Sequence, residues 1–156
     1  MELITGEQNK TLRQKSLPVE HINERVHLLI DKMKQVMAEN NGIGLAAIQL
    51  GQPERIIVCR VDNKDYVFIN PVVSKFSKDS SVMEEGCLSL PNNFGEVERP
   101  SKITLKALDL TGKKVKMKAF GLLARVIQHE ADHLDGILFI DKAREIKKET
   151  KKNISF

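Results

Sequence analysis

The chain of 156 residues has little of what marks several common protein classes. It contains two cysteines, one tyrosine and no tryptophan. Two cysteines are too few for the disulfide framework of a small secreted domain. So few aromatic rings offer no platform on which nucleic-acid bases could stack, and we therefore expect no sequence-specific reading of nucleic acid.

Long apolar runs are also missing. The longest, around residues 42–47, falls far short of the roughly 20 residues that cross a bilayer. The N-terminus reads MELITGE and lacks the basic start and apolar stretch of a signal peptide. We therefore expect a cytoplasmic protein with no membrane segment.

The composition is that of an ordinary soluble domain, with 41% apolar and 29% charged residues. The length predicts a single domain over residues 1–156, expected to be a monomer. The net charge of +4 is spread unevenly, because residues 142–156 form a short C-terminal tail that begins KAREIKKETKK. This basic tail is interpreted either as an arm that contacts RNA or the ribosome, or as a solvated helix face or frayed end.

The hydrophobic pattern predicts an α+β fold with mostly antiparallel sheets. An amphipathic helix is expected over residues 19–40, followed by strands joined mainly by hairpins, and then by a central helix over residues 120–134 that ends at Asp135 and Gly136. A short basic helix is expected after Asp141. The expected strands are 55–61, 66–70, 72–76, 81–88, 102–108 and 115–119.

The strongest chemical signal is His129-Glu130-Ala131-Asp132-His133 on the second helix. Residues four apart share one helix face, so both imidazoles can reach one metal ion, and Glu130 can reach a water molecule on it. A shuffled chain would contain roughly 0.01 such patterns. The competing interpretation is a polar helix whose histidines pair with neighbouring carboxylates.

Two histidines do not complete a catalytic metal site, which needs three protein ligands and an open position. A metzincin-like third histidine is excluded because Phe139 stands at that position. A thermolysin-like pattern would use a glutamate on a following helix as the third ligand, but Glu145 and Glu149 lie among lysines in the tail. Cys87 is the better third ligand, since its thiolate binds divalent ions strongly and Gly86 leaves room beside it.

A second motif is GIGLAAIQ, residues 42–49. Its glycines, Gly44 among them, permit a backbone that lies close against a ligand, although a simple helix stop explains them as well. Gln49 is a neutral amide in an apolar surround and needs a partner. Its amide could donate a hydrogen bond to an oxyanion.

The segments GIGLAAIQ, EGCLS and QHEADH, in this order, resemble three motifs of the peptide deformylase family, and the likeness extends from about residue 12 to residue 140. The resemblance implies a single catalytic domain that removes the formyl group from the N-terminal formyl-methionine of nascent proteins and releases formate. It also implies one divalent metal ion, Fe²⁺ in the first place, with Zn²⁺, Ni²⁺ or Co²⁺ as alternatives in purified material.

The resemblance also assigns roles to individual residues. Cys87, His129 and His133 are the implied ligands, and Glu130 is the implied general acid and base. Gln49 and the backbone N–H of Leu88 are the implied oxyanion donors. The apolar pocket for methionine is expected to involve Ile43, Gly44, Gly86, Leu122, Arg125 and Val126. A pair between Asp132 and Arg99 is a further expectation.

Two other functions fit parts of the pattern. A metallopeptidase that cuts internal bonds would use the same two-histidine helix, with a third ligand other than Cys87 and a long open cleft. A metal-binding interaction protein would use the basic tail and would need neither Glu130 nor Gln49.

Overall fold

The computed structural model describes residues 1–150 and 156. Short 3-10 turns lie at Lys10–Arg13, Ala47–Leu50 and Phe139–Asp141. None of the helices among the described residues is long and apolar enough to cross a membrane. In chain order, the helices and strands are α1 (Glu24–Glu39), β1 (Gly44–Ala46), β2 (Ile56–Val61), β3 (Lys64–Ser74), β4 (Ser80–Cys87), β5 (Leu90–Pro100), β6 (Lys102–Leu108), β7 (Lys114–Phe120), α2 (Gly121–Leu134) and β8 (Ile146–Lys148).

The strands form two antiparallel sheets, which confirms the α+β prediction. The five-stranded sheet has the order β1-β2-β3-β6-β7, and the three-stranded sheet has the order β4-β5-β8. Neighbouring strands in sequence pair through hairpins, as at Asp62 and Asn63, where both residues have positive φ. Two positive φ angles are typical of a type I′ turn, whose twist suits a two-residue hairpin.

Strand β2 shows how the layers stack. Its residues alternate, so that Ile56 and Val58 pack in the cluster around α1, whereas Ile57 and Cys59 pack in the cluster that contains α2. The two helices therefore cover opposite faces of the five-stranded sheet. The far side of α2 faces the three-stranded sheet, where its side chains bond to β4 and β5. Helix α2 thus lies between the two sheets.

Several boundaries differ from the prediction. Helix α1 begins at Glu24, because the Asn23 side chain accepts a hydrogen bond from the Val26 N–H and caps the helix there. Strand β3 continues to Ser74 through an irregularity between Ile69 and Val72, which joins two predicted strands. Strand β5 was not predicted, because its sequence LPNNFGEVERP contains two prolines, a glycine and charged residues and hides the alternation of a strand.

The prediction of a basic helix after Asp141 is wrong. Residues Ile146–Lys148 form β8 and pair with β5 instead. Without this partner, β5 would present a free edge of backbone N–H and C=O groups, and pairing with β8 satisfies part of it. The tail thus begins as a sheet strand, and the remainder of the tail at 151–155 lies outside the described residues.

The end of α2 is fixed by a close approach to the N-terminal segment. Gly136 has φ +73°, and a Cβ at this position would overlap the backbone of Arg13, with the carbonyl carbon at 2.8 Å. The Arg13 guanidinium also pairs with Asp141 at 2.6 Å. The predicted helix end at Asp135 and Gly136 is therefore confirmed, and the contact explains why a residue without a side chain stands there.

Gly136→Ala should lower the free energy of unfolding by more than about 2 kcal/mol, since it combines backbone strain with steric overlap. Gly112→Ala is the matched control, because Gly112 has φ +83° but only Ile22 Cδ1 near the added Cβ, at 3.8 Å. The control should lose about 1 kcal/mol. Urea denaturation measures both, and equal losses would show that the Arg13 contact contributes nothing.

Candidate metal centre and active site

Helix α2 places three predicted site residues side by side. His129, Glu130 and His133 are all buried, and the two imidazole rings lie 5.2 Å apart in a T-shaped arrangement. The spacing of four residues brings both rings to the same face of the helix. The two rings therefore lie close enough to reach one ion, and their role as ligands stays a prediction.

Strand β4 brings Cys87 to the same place. The register of β4 against β5 shifts between Gly86 and Cys87, and the Cys87 Sγ lies 3.3 Å from His133 Nε2. One ligand atom from each of Cys87, His129 and His133 lies within 4.8 Å of the others. These three buried residues can hold one metal ion.

The unpartnered polar atoms of the cluster fit a metal ion. His129 Nε2 is buried and has no hydrogen-bond partner among residues 1–150 and 156. Burial, followed by the charge of Glu130, raises the pKa of the Cys87 thiol, although backbone N–H groups of Ser89 and Leu90 donate to its sulfur. A cation would stabilise the thiolate and complete the coordination that imidazole and sulfur ligands offer to Zn, Fe, Co or Ni.

Glu130 stands beside this cluster without a partner. It is fully buried, and neither carboxylate oxygen has a hydrogen bond to any residue that the structure describes. Burial, followed by the charge of Glu85, raises the pKa of Glu130 well above its ordinary value. A buried carboxyl group with a raised pKa beside a candidate metal site is typical of a general acid and base.

Glu85 is a site residue that the sequence analysis missed. Its carboxylate is fully buried and lies 2.7 Å from His129 Nδ1. It also accepts hydrogen bonds from Arg99, at 2.6 and 2.9 Å, and from Arg125, at 2.7 Å. Burial opposes its ionisation, but the bonds from Arg99 and His129 outweigh this effect and lower the pKa of Glu85. Glu85 therefore orients the His129 ring with Nε2 towards the candidate metal site.

Arg99 extends the same network to α2. Its guanidinium bonds to Asp132 at 2.9 Å, which confirms the expected pair. Arg125 donates to Glu85, to the Val97 carbonyl at 2.9 Å and to Ser81. Because these bonds occupy the guanidinium, a contact of Arg125 with substrate would have to use the aliphatic stem of its side chain. This contact stays a prediction.

Gly44 approaches the active-site helix closely. A Cβ at Gly44 would overlap the Glu130 carboxylate and lie 2.8 Å from Val126 Cγ1. The glycine is therefore required by the position of Glu130, which favours a site role over the alternative of a helix stop. Ile43 packs partly buried against the cluster that contains Val126, Gly86 is buried, and Leu122 is 41% exposed at the start of α2.

Gln49 has its side-chain amide held in one orientation. Its Oε1 accepts a hydrogen bond from the Ala46 N–H at 2.8 Å. Its Nε2 donates to Ser89 Oγ at 3.1 Å and lies 3.7 Å from Cys87 Sγ. The amide nitrogen therefore lies beside Cys87, at the candidate metal site, with its two N–H groups directed at Ser89 Oγ and at the Cys87 sulfur.

The backbone N–H of Leu88 already has an acceptor. It donates to the backbone oxygen of Phe156 at 2.9 Å. The Phe156 side chain is buried, and its ring meets the His129 ring edge-on with the centroids 5.2 Å apart. Phe156 is thus a neighbour of the site that the sequence did not indicate.

The missed residues differ in what could have revealed them. Glu85 precedes Cys87 by two positions on a strand, and residues two apart share a face of the sheet. Ser89 is part of the EGCLS segment already singled out. Phe156 carries no local signal, because its position depends on contacts with residues far away in the chain.

These features define a class of protein: an α+β protein with a buried Cys-His-His cluster and an unpartnered glutamate, typical of metal-dependent hydrolases. The family model for polypeptide deformylase matches residues 1–149. The peptide deformylase of Pelagibacter ubique is 49% identical over 150 residues, covering 93% of this chain and 87% of that protein. The peptide deformylase of Rhizobium meliloti is 48% identical, covering 88% and 82%.

Solved structures agree with the sequence matches. The crystal structure of peptide deformylase from Thermotoga maritima has a TM-score of 0.89 and 36% identity, covering 92% of this chain and 97% of that chain. The structure of a peptide deformylase from Synechococcus elongatus in complex with actinonin has a TM-score of 0.89 and 38% identity, covering 92% and 79%. This chain belongs to the polypeptide deformylase family, as its three motifs indicated.

Cys87→Ser should reduce the metal content of the purified protein more than about tenfold, because a hydroxyl is a much poorer ligand than a thiolate. Elemental analysis of freshly purified protein measures the content. Cys59→Ser is the matched control, since Cys59 is an equally buried free thiol on β2. The control should keep its metal, and an unchanged content in Cys87→Ser would exclude the sulfur as a ligand.

Proposed function

We propose that this chain is a peptide deformylase in which residues 1–156 act as one catalytic domain. It hydrolyses the formamide bond of an N-terminal formyl-methionyl peptide and releases formate and a free amine. The observation that carries this proposal is the buried, unpartnered Glu130 beside the cluster of Cys87, His129 and His133. Metal storage would need no such carboxylate.

The proposed cofactor is one divalent ion held by Cys87, His129 and His133. When bound, it would supply Lewis acidity that makes water a competent nucleophile near neutral pH. Fe²⁺ is the proposed native ion, because the family that the three motifs indicate usually uses ferrous iron. Zn²⁺, Ni²⁺ and Co²⁺ suit the same ligands and are expected alternatives in purified material.

Glu130 is the proposed general acid and base. Its carboxylate accepts a proton from the attacking water as the oxygen adds to the formyl carbon. The same carboxyl then delivers this proton to the departing amine nitrogen as the C–N bond breaks. Support comes from its burial and raised pKa, which suit a group that must hold a proton between these two steps.

Gln49 Nε2 and the Leu88 N–H are the proposed donors to the developing oxyanion. One such donor is worth about 3 kcal/mol of transition-state stabilisation. The bond from the Ala46 N–H to Gln49 Oε1 supports its role, because it holds Nε2 beside Cys87, where one N–H would exchange its present acceptor for the oxyanion. The proposed pocket for the methionine side chain uses Ile43, Gly44, Gly86, Leu122, the stem of Arg125 and Val126.

Protein purified without oxygen should contain about one equivalent of iron and release formate from a formyl-methionyl tripeptide. The same sample should leave the N-acetylated tripeptide intact, because a deformylase requires the formyl group whereas a metallopeptidase would ignore it. Metal analysis and a formate assay on one sample measure both. Metal without turnover would favour a binding protein, and full activity in air with bound zinc would contradict the iron proposal.

Glu130→Ala is the control that isolates the chemistry. It should keep the metal and the melting temperature while deformylation falls by roughly 10² or more, the typical contribution of a general acid and base. Retained turnover with the metal in place would remove Glu130 from this role.

The proposed substrates are nascent proteins in the cytoplasm. We propose that the enzyme acts as a monomer and that its basic tail contacts the ribosome. Exposed Lys147 and Lys148 on β8 support this surface. Changing both to glutamate should weaken co-sedimentation with ribosomes about tenfold at low salt, because phosphate contacts are electrostatic. Changing Lys113 and Lys114 to glutamate is the charge-matched control, and an equal loss there would show only a non-specific effect of charge.

A further inference from the structure

Phe156 occupies a place that the proposed function assigns to substrate. Its side chain is 4% exposed and belongs to the same packed cluster as Val126 and Ile127, with Ile43 against it. Val126 and Ile43 are expected pocket residues for methionine. A large apolar side chain therefore packs in the same cluster as two expected pocket residues and beside His129 of the candidate metal site.

The backbone of Phe156 makes the second contact. Its backbone oxygen accepts the Leu88 N–H at 2.9 Å. One N–H carries one proton, and a hydrogen bond at this distance uses it fully. The formyl oxygen of a substrate and the backbone oxygen of Phe156 therefore cannot both accept from Leu88 at full strength.

The ring of Phe156 adds a third contact. It meets His129 edge-on with the centroids 5.2 Å apart and an interplanar angle of 86°. On another side His129 stacks with Phe139, which lies 6.1 Å away at 22°. The Phe156 ring thus covers one side of an imidazole of the candidate metal centre, whereas Phe139 belongs to the surrounding core.

We propose that Phe156 is an intramolecular ligand of the active site and that a formyl-methionyl substrate must displace it. This inference rests on the proposed function, because it identifies the Phe156 position with the position of substrate. It follows that the chain has two states, one with Phe156 seated and one with Phe156 released, and that only the released state binds substrate. The measured affinity is then the affinity of the released state multiplied by its population.

Phe156→Asp should favour the released state, because an unpaired carboxylate is costly in an apolar pocket. KM for a formyl-methionyl tripeptide should fall about threefold to tenfold, while kcat stays within about twofold of the parent value. The KM-against-kcat split matters, since a merely structural role would lower kcat and stability together.

A second measurement does not depend on turnover. In the parent chain the Leu88 amide should be protected from hydrogen exchange by its bond to Phe156. In Phe156→Asp the Leu88 amide should exchange faster and its ¹H–¹⁵N chemical shift should move, whereas amides of α1 should not change. NMR spectroscopy of the labelled full-length chain measures both quantities.

Two further variants make the test specific. Phe156→Leu keeps a large apolar side chain and should retain a KM close to that of the parent. Phe76→Ala removes an exposed phenylalanine, 55% accessible in the structure, that is not part of the apolar cluster of Phe156, and it should change neither KM nor exchange at Leu88. If thermal melting shows that Phe156→Asp fails to fold, Phe156→Ala replaces it in both measurements.

The outcomes separate this inference from the proposed function. An unchanged KM in Phe156→Asp overturns the inference, whether or not exchange at Leu88 increases, since displacement is then not required for binding. If neither the parent chain nor any variant releases formate, the proposed function fails. In that case, if exchange at Leu88 is unchanged in Phe156→Asp, the intramolecular contact is overturned as well. If exchange at Leu88 is faster in Phe156→Asp, the contact stands, but its link to substrate does not.

Discussion

The Glu85 carboxylate joins α2 to the three-stranded sheet. It is fully buried and is held by Arg99, Arg125 and His129. Arg125, His129 and Asp132 recur at steps of four and three along α2, so the side of the helix that faces this sheet is a stripe of polar contacts. Buried charges are tolerated only when they are paired, and removing one partner typically costs about 3–5 kcal/mol. The network therefore sets where α2 lies, and with it the position of every residue on that helix.

Two buried glutamates in one site have opposite properties. Hydrogen bonds from Arg99 and His129 keep Glu85 ionised in spite of burial, whereas burial and the nearby charge of Glu85 favour the protonated form of Glu130. Environments that push two carboxyl pKa values apart separate an orienting role from a proton-transfer role. In the structure Glu85 orients His129, and in the proposed mechanism Glu130 transfers the proton.

The same packing leaves little free space around the site. Gly44 has no side chain because the Glu130 carboxylate lies where a Cβ would be, and Gln49 is held by Ala46 and Ser89. The remaining apolar space and the Leu88 N–H are used by Phe156. The proposed displacement of Phe156 would free the Leu88 N–H and this apolar space, which connects it to the proposed deformylation.

The sequence by itself determined the two helices, most of the strands, the hairpin at Asp62 and the ligand candidates on α2. These features depend on residues close together in the chain, whose periodicity and turn chemistry are visible locally. The tertiary structure alone decided that β5 and β8 pair, that Glu85 orients His129 and that Phe156 reaches Leu88. Each of these depends on groups far apart in sequence, whose hydrogen bonds and burial outweigh local preference, and no local pattern records them.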